Sequence, residues 1–335
     1  MKRWSVLAFL SLCLPFAACG DDDDTMPSYD APMGGDGGGA DAAPRNCKVN
    51  GGADCFDLPT MAVKVNPAGM MERAANFNCA KETIVRATMP ITVTGKITDF
   101  QTDSMNRPNA TLGAFYDLAV TGTPVATATS DASGNYTITL PLVMGMGAPS
   151  RMSWKSATTN PASLDTYALN AAVDTTMAMM MGEDRRIVSM ATATTIPAIL
   201  GVTRTPGTGI IAGFLEDCDG ENVRHAIMSL STTSSAGNTA PTHVGGAPVF
   251  YFAQDLPAAR TSQPDTNTDG AFVFIQVPVP MGGQKYYAQA WGFVHDTDVM
   301  NGMAGLKLLA EFEVPVLGDS VIALFPATPT QGPLP

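Results

Sequence analysis

Histidine is nearly absent from this chain: three in 335 residues, His225, His243 and His295. None begins a His-x-x-Glu or His-Glu-x-x-His pair, so a zinc peptidase site has no ligands at workable spacing. Also missing are the Gly-x-Ser-x-Gly elbow, a phosphate-cradling Gly-x-x-x-x-Gly-Lys-(Ser/Thr) loop, a dinucleotide fingerprint and any Cys-x-x-Cys pair. Lacking these, the sequence points away from an enzyme. Charge is scarce too, at 15% of residues, which disfavours long surface helices rich in Glu and Lys. Basic residues number 19 against 31 acidic, a net charge of −12, and a nucleic-acid binder needs the opposite balance. What the chain does have is 45% hydrophobic residues, 32 Gly and 25 Pro. That is enough apolar surface for real cores, built from short strands and turns. The length suggests about two domains.

Lys2 and Arg3 precede an apolar run from Trp4 to Ala18, too short to span a bilayer as a helix of ~20 residues. The run ends in Phe16-Ala17-Ala18-Cys19-Gly20, which resembles the lipobox of bacterial lipoproteins, with Phe16 replacing the usual Leu. The resemblance implies cleavage after residue 18, a signal peptide of 1–18, and diacylation (palmitate-type chains) of Cys19. Residues 19–46 then read as an acidic Gly/Asp-rich tether. From Gly20 to Asn46 it carries seven Asp, including Asp21–Asp24, against the single base Arg45. So few apolar side chains cannot offset ordering entropy, which predicts a disordered spacer with an end-to-end distance of ~30 Å. An acidic body gains nothing from an anionic leaflet, so the acylated Cys19 is the expected contact with the lipid bilayer.

Cys13 leaves with the signal and Cys19 takes the lipid. Cys47, Cys55, Cys79 and Cys218 remain, an even number in an oxidising compartment, and suggest two disulfides. Three pairings are possible; local closure of Cys47 with Cys55 would leave Cys79 with Cys218. Residues 47–89 are read as a disulfide-pinned cap on the first sandwich, with Met70–Phe77 forming a helical turn or two.

From residue 90 the chain reads as strands. Ile91–Thr98 alternates with period two, followed by runs at Ala110–Tyr116, Pro124–Thr129, Asn135–Leu140, Arg151–Ala157 and Asp165–Val173. Thr129-Ser130-Asp131-Ala132-Ser133-Gly134-Asn135-Tyr136 is a tight turn in which Asp131 caps and Gly134 takes φ > 0. The pattern recurs. Gly209–Asp217 parallels the strand around Gly95, and Asp265-Thr266-Asn267-Thr268-Asp269-Gly270-Ala271-Phe272 parallels the turn around Gly134. Gly95 to Gly213 is 118 residues and Gly134 to Gly270 is 136, so an insertion lies between, read as Ser231–Pro248. Closing strands are expected at Lys285–Gly292, Leu306–Val314 and Val321–Phe325.

These residues, Gly-x-(Ile/Leu)-x-Asp and then Asp-x-x-Gly-x-Tyr or Asp-x-x-x-Asp-Gly-x-Phe, resemble the carboxypeptidase regulatory-like domain. The resemblance implies an all-β fold: two tandem seven-stranded transthyretin-like/Ig-like β-sandwiches at 90–175 and 205–327, accessory modules with no catalytic residues of their own. A partly helical connector, 176–204, would join them, with its helix within Thr175–Leu200 short or kinked at Pro197. A Pro-rich tail, 328–335, follows.

Asp265, Asn267 and Asp269 match the start of a calcium loop, but the twelfth position is Gln276 rather than a bidentate Glu, and the family's β-turn accounts for the same residues. Asp217, Asp219 and Glu221 form a second acidic turn, and His295 sits beside Asp296 and Asp298. Twenty methionines, with Met177, Met179, Met180 and Met181 clustered and Met144 near Met146, allow a Cu(I)-handling role to be framed; the plainer reading is irregular core filling. Tyr251, Phe252, Tyr286, Tyr287 and Trp291 suit either a carbohydrate face or sandwich core. The expectation is therefore an exported, non-enzymatic lipoprotein. It would be anchored at the outer membrane or cell surface without cofactor, and would present tandem β-modules to a protein or glycan ligand. A carbohydrate- or calcium-binding adhesion module is the alternative.

Overall fold

Strand Asn135–Leu140 shows how the alternation in the sequence becomes structure: its side chains run exposed, buried, exposed, buried along its length. The computed structural model describes residues 57–67, 70–77, 83–100, 105–117, 120–234, 241–253 and 256–327. The expected signal peptide, Cys19 with its tether, Cys47, Cys55, Cys79 and the tail lie outside these residues. Among the described residues no helix is long and apolar enough to cross a membrane.

The first repeat contains β3 (Ile91–Asp99), β4 (Thr111–Phe115), β5 (Ala126–Thr129), β6 (Asn135–Leu140), β7 (Arg151–Ala157), β8 (Asp165–Ala172), β9 (Met179–Met180) and β10 (Arg185–Ile187). The second contains β11 (Gly209–Leu215), β13 (Ile227–Ser231), β14 (Val249–Ala253), β15 (Leu256–Ala258), β16 (Ala271–Val277), β17 (Tyr286–Gly292), β18 (Lys307–Val314) and β19 (Ser320–Ala327). Preceding both are β1 (Lys64–Val65) and β2 (Arg73–Ala74), and β12 (Val223–Arg224) lies inside the second.

The repeats share one wiring. β3 pairs antiparallel with β6 and parallel with β9 and β10; β11 pairs antiparallel with β16 and parallel with β19. The landmarks agree residue by residue, since Gly95 lies opposite Tyr136 and Gly213 opposite Phe272. A Cβ on Gly213 would sit 2.9 Å from the Phe272 ring, so this glycine makes room for the aromatic across the ladder. Counting β9 and β10 as one broken edge, the first repeat has seven strands; the second has seven plus the short β12 and β15. The repeats differ at one switch. β5 stays beside β4, whereas β14 crosses over to pair with β16.

The sheets do not stop at the repeat boundary. β19 pairs parallel with β8, from Ser320 opposite Asp165 to Leu324 opposite Leu169. This fuses the strands into a nine-stranded sheet ordered β15-β14-β16-β11-β19-β8-β7-β4-β5. Successive strand residues point to opposite faces, so the core memberships locate the covering layers. Ile322, Leu324, Tyr167 and Leu169 share one face and one core with β13, β17 and β18. Leu112, Ala114 and Trp154 point the other way, into the core under β3 and β6. The two repeats thus place their second sheets on opposite faces of the shared sheet. Over the second repeat that opposite face is covered by α1 (Met190–Ile199), whose Ala193 packs with Ile210, Phe250 and Val273.

The connector is helical only from Met190, capped by Ser189 and holding Pro197 inside; Met177–Ile187 is extended because β9 and β10 satisfy the edge of β3. One local expectation, on the segment before the repeats, needs correction. Met70–Phe77 contains β2 rather than a helical turn, and the segment caps the second repeat rather than the first. β1 pairs with β12, and Ala62, Val63 and Val65 are buried in the second repeat's core. Lys64 reaches Asp296 at 3.2 Å, Glu72 meets Arg224 at 2.7 Å, and among the described residues the chain runs beside the first repeat from Val85, at Gly147–Ser150.

Candidate functional site

Both glycine turns have the geometry their sequence demands. Gly134 has φ +78° and Gly270 +65°, each accepting a bond from the first strand of its repeat: Ile97 N–H donates to Gly134 O at 2.8 Å and Leu215 N–H to Gly270 O at 2.9 Å. Asp131 Oδ1 accepts from Ser133 N–H and Asn135 N–H, and the Asn135 side chain and backbone together hold its carboxyl below the usual carboxylate range. Asp269 Oδ1 accepts from Ala271 N–H at 2.9 Å. In the acidic run before Gly270, Asp265 is buried and lies 3.6 Å from His225 Nδ1. No group of three or more His, Cys, Asp or Glu among the described residues is placed to hold a metal ion.

The 118-residue offset brings the aspartates that close the Gly-x-(Ile/Leu)-x-Asp motif, Asp99 and Asp217, to the same place in the two repeats, both buried. Asp99 pairs with Arg107, also buried, from its own repeat. Asp217 draws its arginine from outside the repeats, with Arg73 bridging Asp217 Oδ2 at 3.0 Å and Asp219 Oδ2 at 2.8 Å. The backbone N–H groups of Asn76, Asp219 and Glu221 complete the Asp217 shell. This second acidic turn is therefore an arginine-clamped anchor for the N-terminal segment. Cys218, beside it, donates its N–H to Asn76 O at 2.8 Å.

The histidines occupy three different settings. His243 is buried and stacked on Phe274; its Nδ1 accepts from Leu230 N–H and its Nε2 reaches Ala247 O at 2.8 Å, which fixes a neutral ring. His295 starts the four-residue helix α2 (Asp296–Val299), its N–H donating to Asp298 Oδ2. His225 sits at φ +65° with Nε2 buried and without a hydrogen-bond partner among the described residues. Acyl transfer by a His–Asp pair needs a hydroxyl or thiol at that nitrogen, and among the described residues none is within hydrogen-bond distance of it.

The aromatic residues are mostly core. Tyr251 and Trp291 are fully buried, Trp291 Nε1–H donating to Ser229 Oγ and Tyr251 Oη accepting from Met228 N–H. Burial pushes the Tyr136 phenol up to about 12, against the opposing field of Arg185, while its hydroxyl donates to Glu183 O. A raised folded pKa means the native state keeps a proton that the unfolded chain releases from pH 10.0 upward. Tyr136 thus stabilises fully below pH 10 and loses that contribution as pH rises toward about 12. Urea midpoints measured across that window should fall in the wild type, and fall less steeply in Tyr136→Phe, by up to ~1.4 kcal/mol per pH unit. Identical slopes would remove the assignment.

A cleft lies over the first repeat's part of the shared sheet. Among the described residues, the face of the shared sheet that bears the second repeat's covering sheet carries no covering sheet over β4, β5 and β7. Here lies an open cleft of about 900 Å³, walled by Val120, Thr121, Gly122, Pro124 and Leu317. Its floor offers the exposed hydroxyls of Thr111, Thr127 and Thr129, with Lys155 over the Tyr167 ring at 5.6 Å and bonded to Asp165 at 2.6 Å. Nothing in the sequence announced it, because it follows from the β8–β19 junction.

No family model and no curated protein matches the chain. Among solved structures it is similar to the Bacillus anthracis TIE protein, at 12% identity and a TM-score of 0.20, covering 71% of this chain and 34% of that one. It is also similar to the shaft pilin spaA from Lactobacillus rhamnosus GG, at 14% identity and a TM-score of 0.18, covering 74% of this chain and all of the pilin. Likeness at this level carries no argument about function. The class of protein is set by the chain's own architecture: an all-β protein of repeated, fused β-sandwich layers.

Proposed function

We propose that the chain is an exported, lipid-anchored structural and binding module of a bacterial cell envelope, non-enzymatic, held to the bilayer through acylated Cys19. The observation that carries this reading is the fusion of both repeats into one nine-stranded sheet, with the segment after the tether clamped onto it. A tether feeding a single continuous sheet suits an arm that holds a surface away from the membrane. Replacing Cys19 with Ala should move the protein from the detergent phase to the aqueous phase, or leave its signal uncleaved. Aqueous partitioning of both forms would end the anchor claim. Hydroxyls beside a lysine make the cleft over β4 and β5 the place for a hydroxyl-rich ligand. On a glycan array, binding that survives Lys155→Ala and Thr127→Ala would put the ligand elsewhere.

A further inference from the structure

Core filling accounts for Met152 and Met228, which are buried, but not for Met144, Met146, Met177, Met179 and Met181, which are exposed. Met144 and Met146 stand at the tip of a hairpin that follows β6. Val143 N–H donates to Met146 O at 2.8 Å and Met146 N–H to Val143 O at 2.9 Å, which closes a two-residue turn. Both central residues have positive φ, Met144 at +51° and Gly145 at +79°, the geometry for which Asn-Gly is the ordinary sequence. Methionine in place of asparagine puts backbone strain into a turn that does not need it, and strain of this kind gathers at functional surfaces. What it presents is an apolar side chain. Met144 is 95% exposed, with Leu142, Val143 and Met146 exposed beside it. The segment through Ala87 runs beside the hairpin's return, Ala87 N–H donating to Ala148 O at 2.9 Å, and adds exposed Val85 and Met89.

The hairpin has an uncharged tip and a different chemistry at its foot. Residues 140–150 contain no charged side chain. At the foot, Arg86 is exposed and donates from Nη1 to Gly147 O at 3.3 Å, and the partly buried Tyr116 donates from Oη to Pro141 O at 2.5 Å. Arg151 follows as the first residue of β7. A guanidinium and a phenol below an apolar tip match a lipid–water boundary, where cation and phenol meet headgroups and the tip meets acyl chains. The nearby carboxylates, Asp117 and Asp174, follow the ends of β4 and β8 rather than the hairpin, and Thr176 donates twice to Asp174 Oδ1. A two-residue tip is also too small to supply by itself the ~800 Å² per partner of a standard protein interface.

We propose that this hairpin tip enters the surface of an anionic bilayer, a second membrane contact beside the acylated Cys19. The anchor reading supplies the bilayer, but the assay does not use it, because the mature chain with Cys19→Ala carries no acyl group. That chain is mixed with vesicles of phosphatidylcholine and phosphatidylglycerol, and should sediment with them. With Met144→Trp added, its tryptophan emission should move to shorter wavelength when vesicles are present. Met144→Asn restores ordinary turn chemistry, so it should melt no lower than its parent. Its affinity for vesicles should nevertheless fall about tenfold, the equivalent of one buried apolar side chain. An unmoved Met144→Trp emission, or a Met144→Asn chain that binds vesicles as its parent does, overturns the contact. So does a parent chain that is dimeric in solution and monomeric with Met144→Asn, which would give the tip to a second copy. If the anchor reading alone fails, wild type partitions into the aqueous phase while the emission shift persists.

Discussion

Gly270→Val should lower the melting temperature by roughly 4–20 °C, the larger of the two turn effects. Two costs add. A residue with a Cβ held at φ +65° loses ~1–2 kcal/mol. The new Cβ would also lie 2.5 Å from Leu215 O, a backbone atom of β11 that cannot swing aside, and such overpacking costs a further ~1–3 kcal/mol. At ~2–4 °C per kcal/mol for a body of this size, the sum gives the stated range. At Gly134 the nearest atoms are Ile97 O at 2.9 Å and Asn106 Cβ at 3.0 Å, so Gly134→Val should cost less. Gly246 has φ +79° with nothing within 4 Å of an added Cβ, and Gly246→Val isolates the backbone cost alone. Thermal melts of the three variants should rank Gly270, then Gly134, then Gly246. If Gly270→Val melts no lower than Gly246→Val, close approach of strand and turn is not what holds this glycine.

That turn was legible because it needs only local chemistry: an acidic residue, a glycine and an aromatic opening an alternating strand. β6 and β7 were legible for the same reason, and their bounds match the alternation in sequence. β13 was missed, because Ile227–Ser231 is buried on both faces and its serines gave no solvent-facing signal. The helix expected within Thr175–Leu200 had no start written in the sequence, and Met177–Ile187 is extended because the open edge of β3 outweighs propensity there. The β8–β19 junction left no trace at all, since a parallel pair of strands far apart in the chain has no local pattern. The cleft, which depends on that junction, was therefore invisible. So was the clamp on the second repeat, since Arg73 lies outside both repeats.

Breaking the Asp99–Arg107 pair should be the costliest single polar change in the first repeat, and the symmetry of the repeats supplies its control. Both side chains are more than nine-tenths buried, so Arg107→Met leaves a carboxylate in the interior facing a thioether. Loss of one partner from such a pair costs ~3–5 kcal/mol, mostly from the charge left behind. At the equivalent place Arg73 is 36% exposed, and Asp217 keeps three backbone donors when the guanidinium goes. Solvent screens that pair, so Arg73→Met should cost ~1 kcal/mol or less. Urea denaturation of the two variants therefore separates a buried charge from a latch. The double variant Asp99→Leu with Arg107→Met should recover most of the loss, because two apolar side chains leave no ion to desolvate. An Arg107→Met that is no less stable than Arg73→Met would show that Asp99 is satisfied by its backbone surroundings. The conserved place of the two aspartates in the repeats would then reflect the turn rather than the arginine.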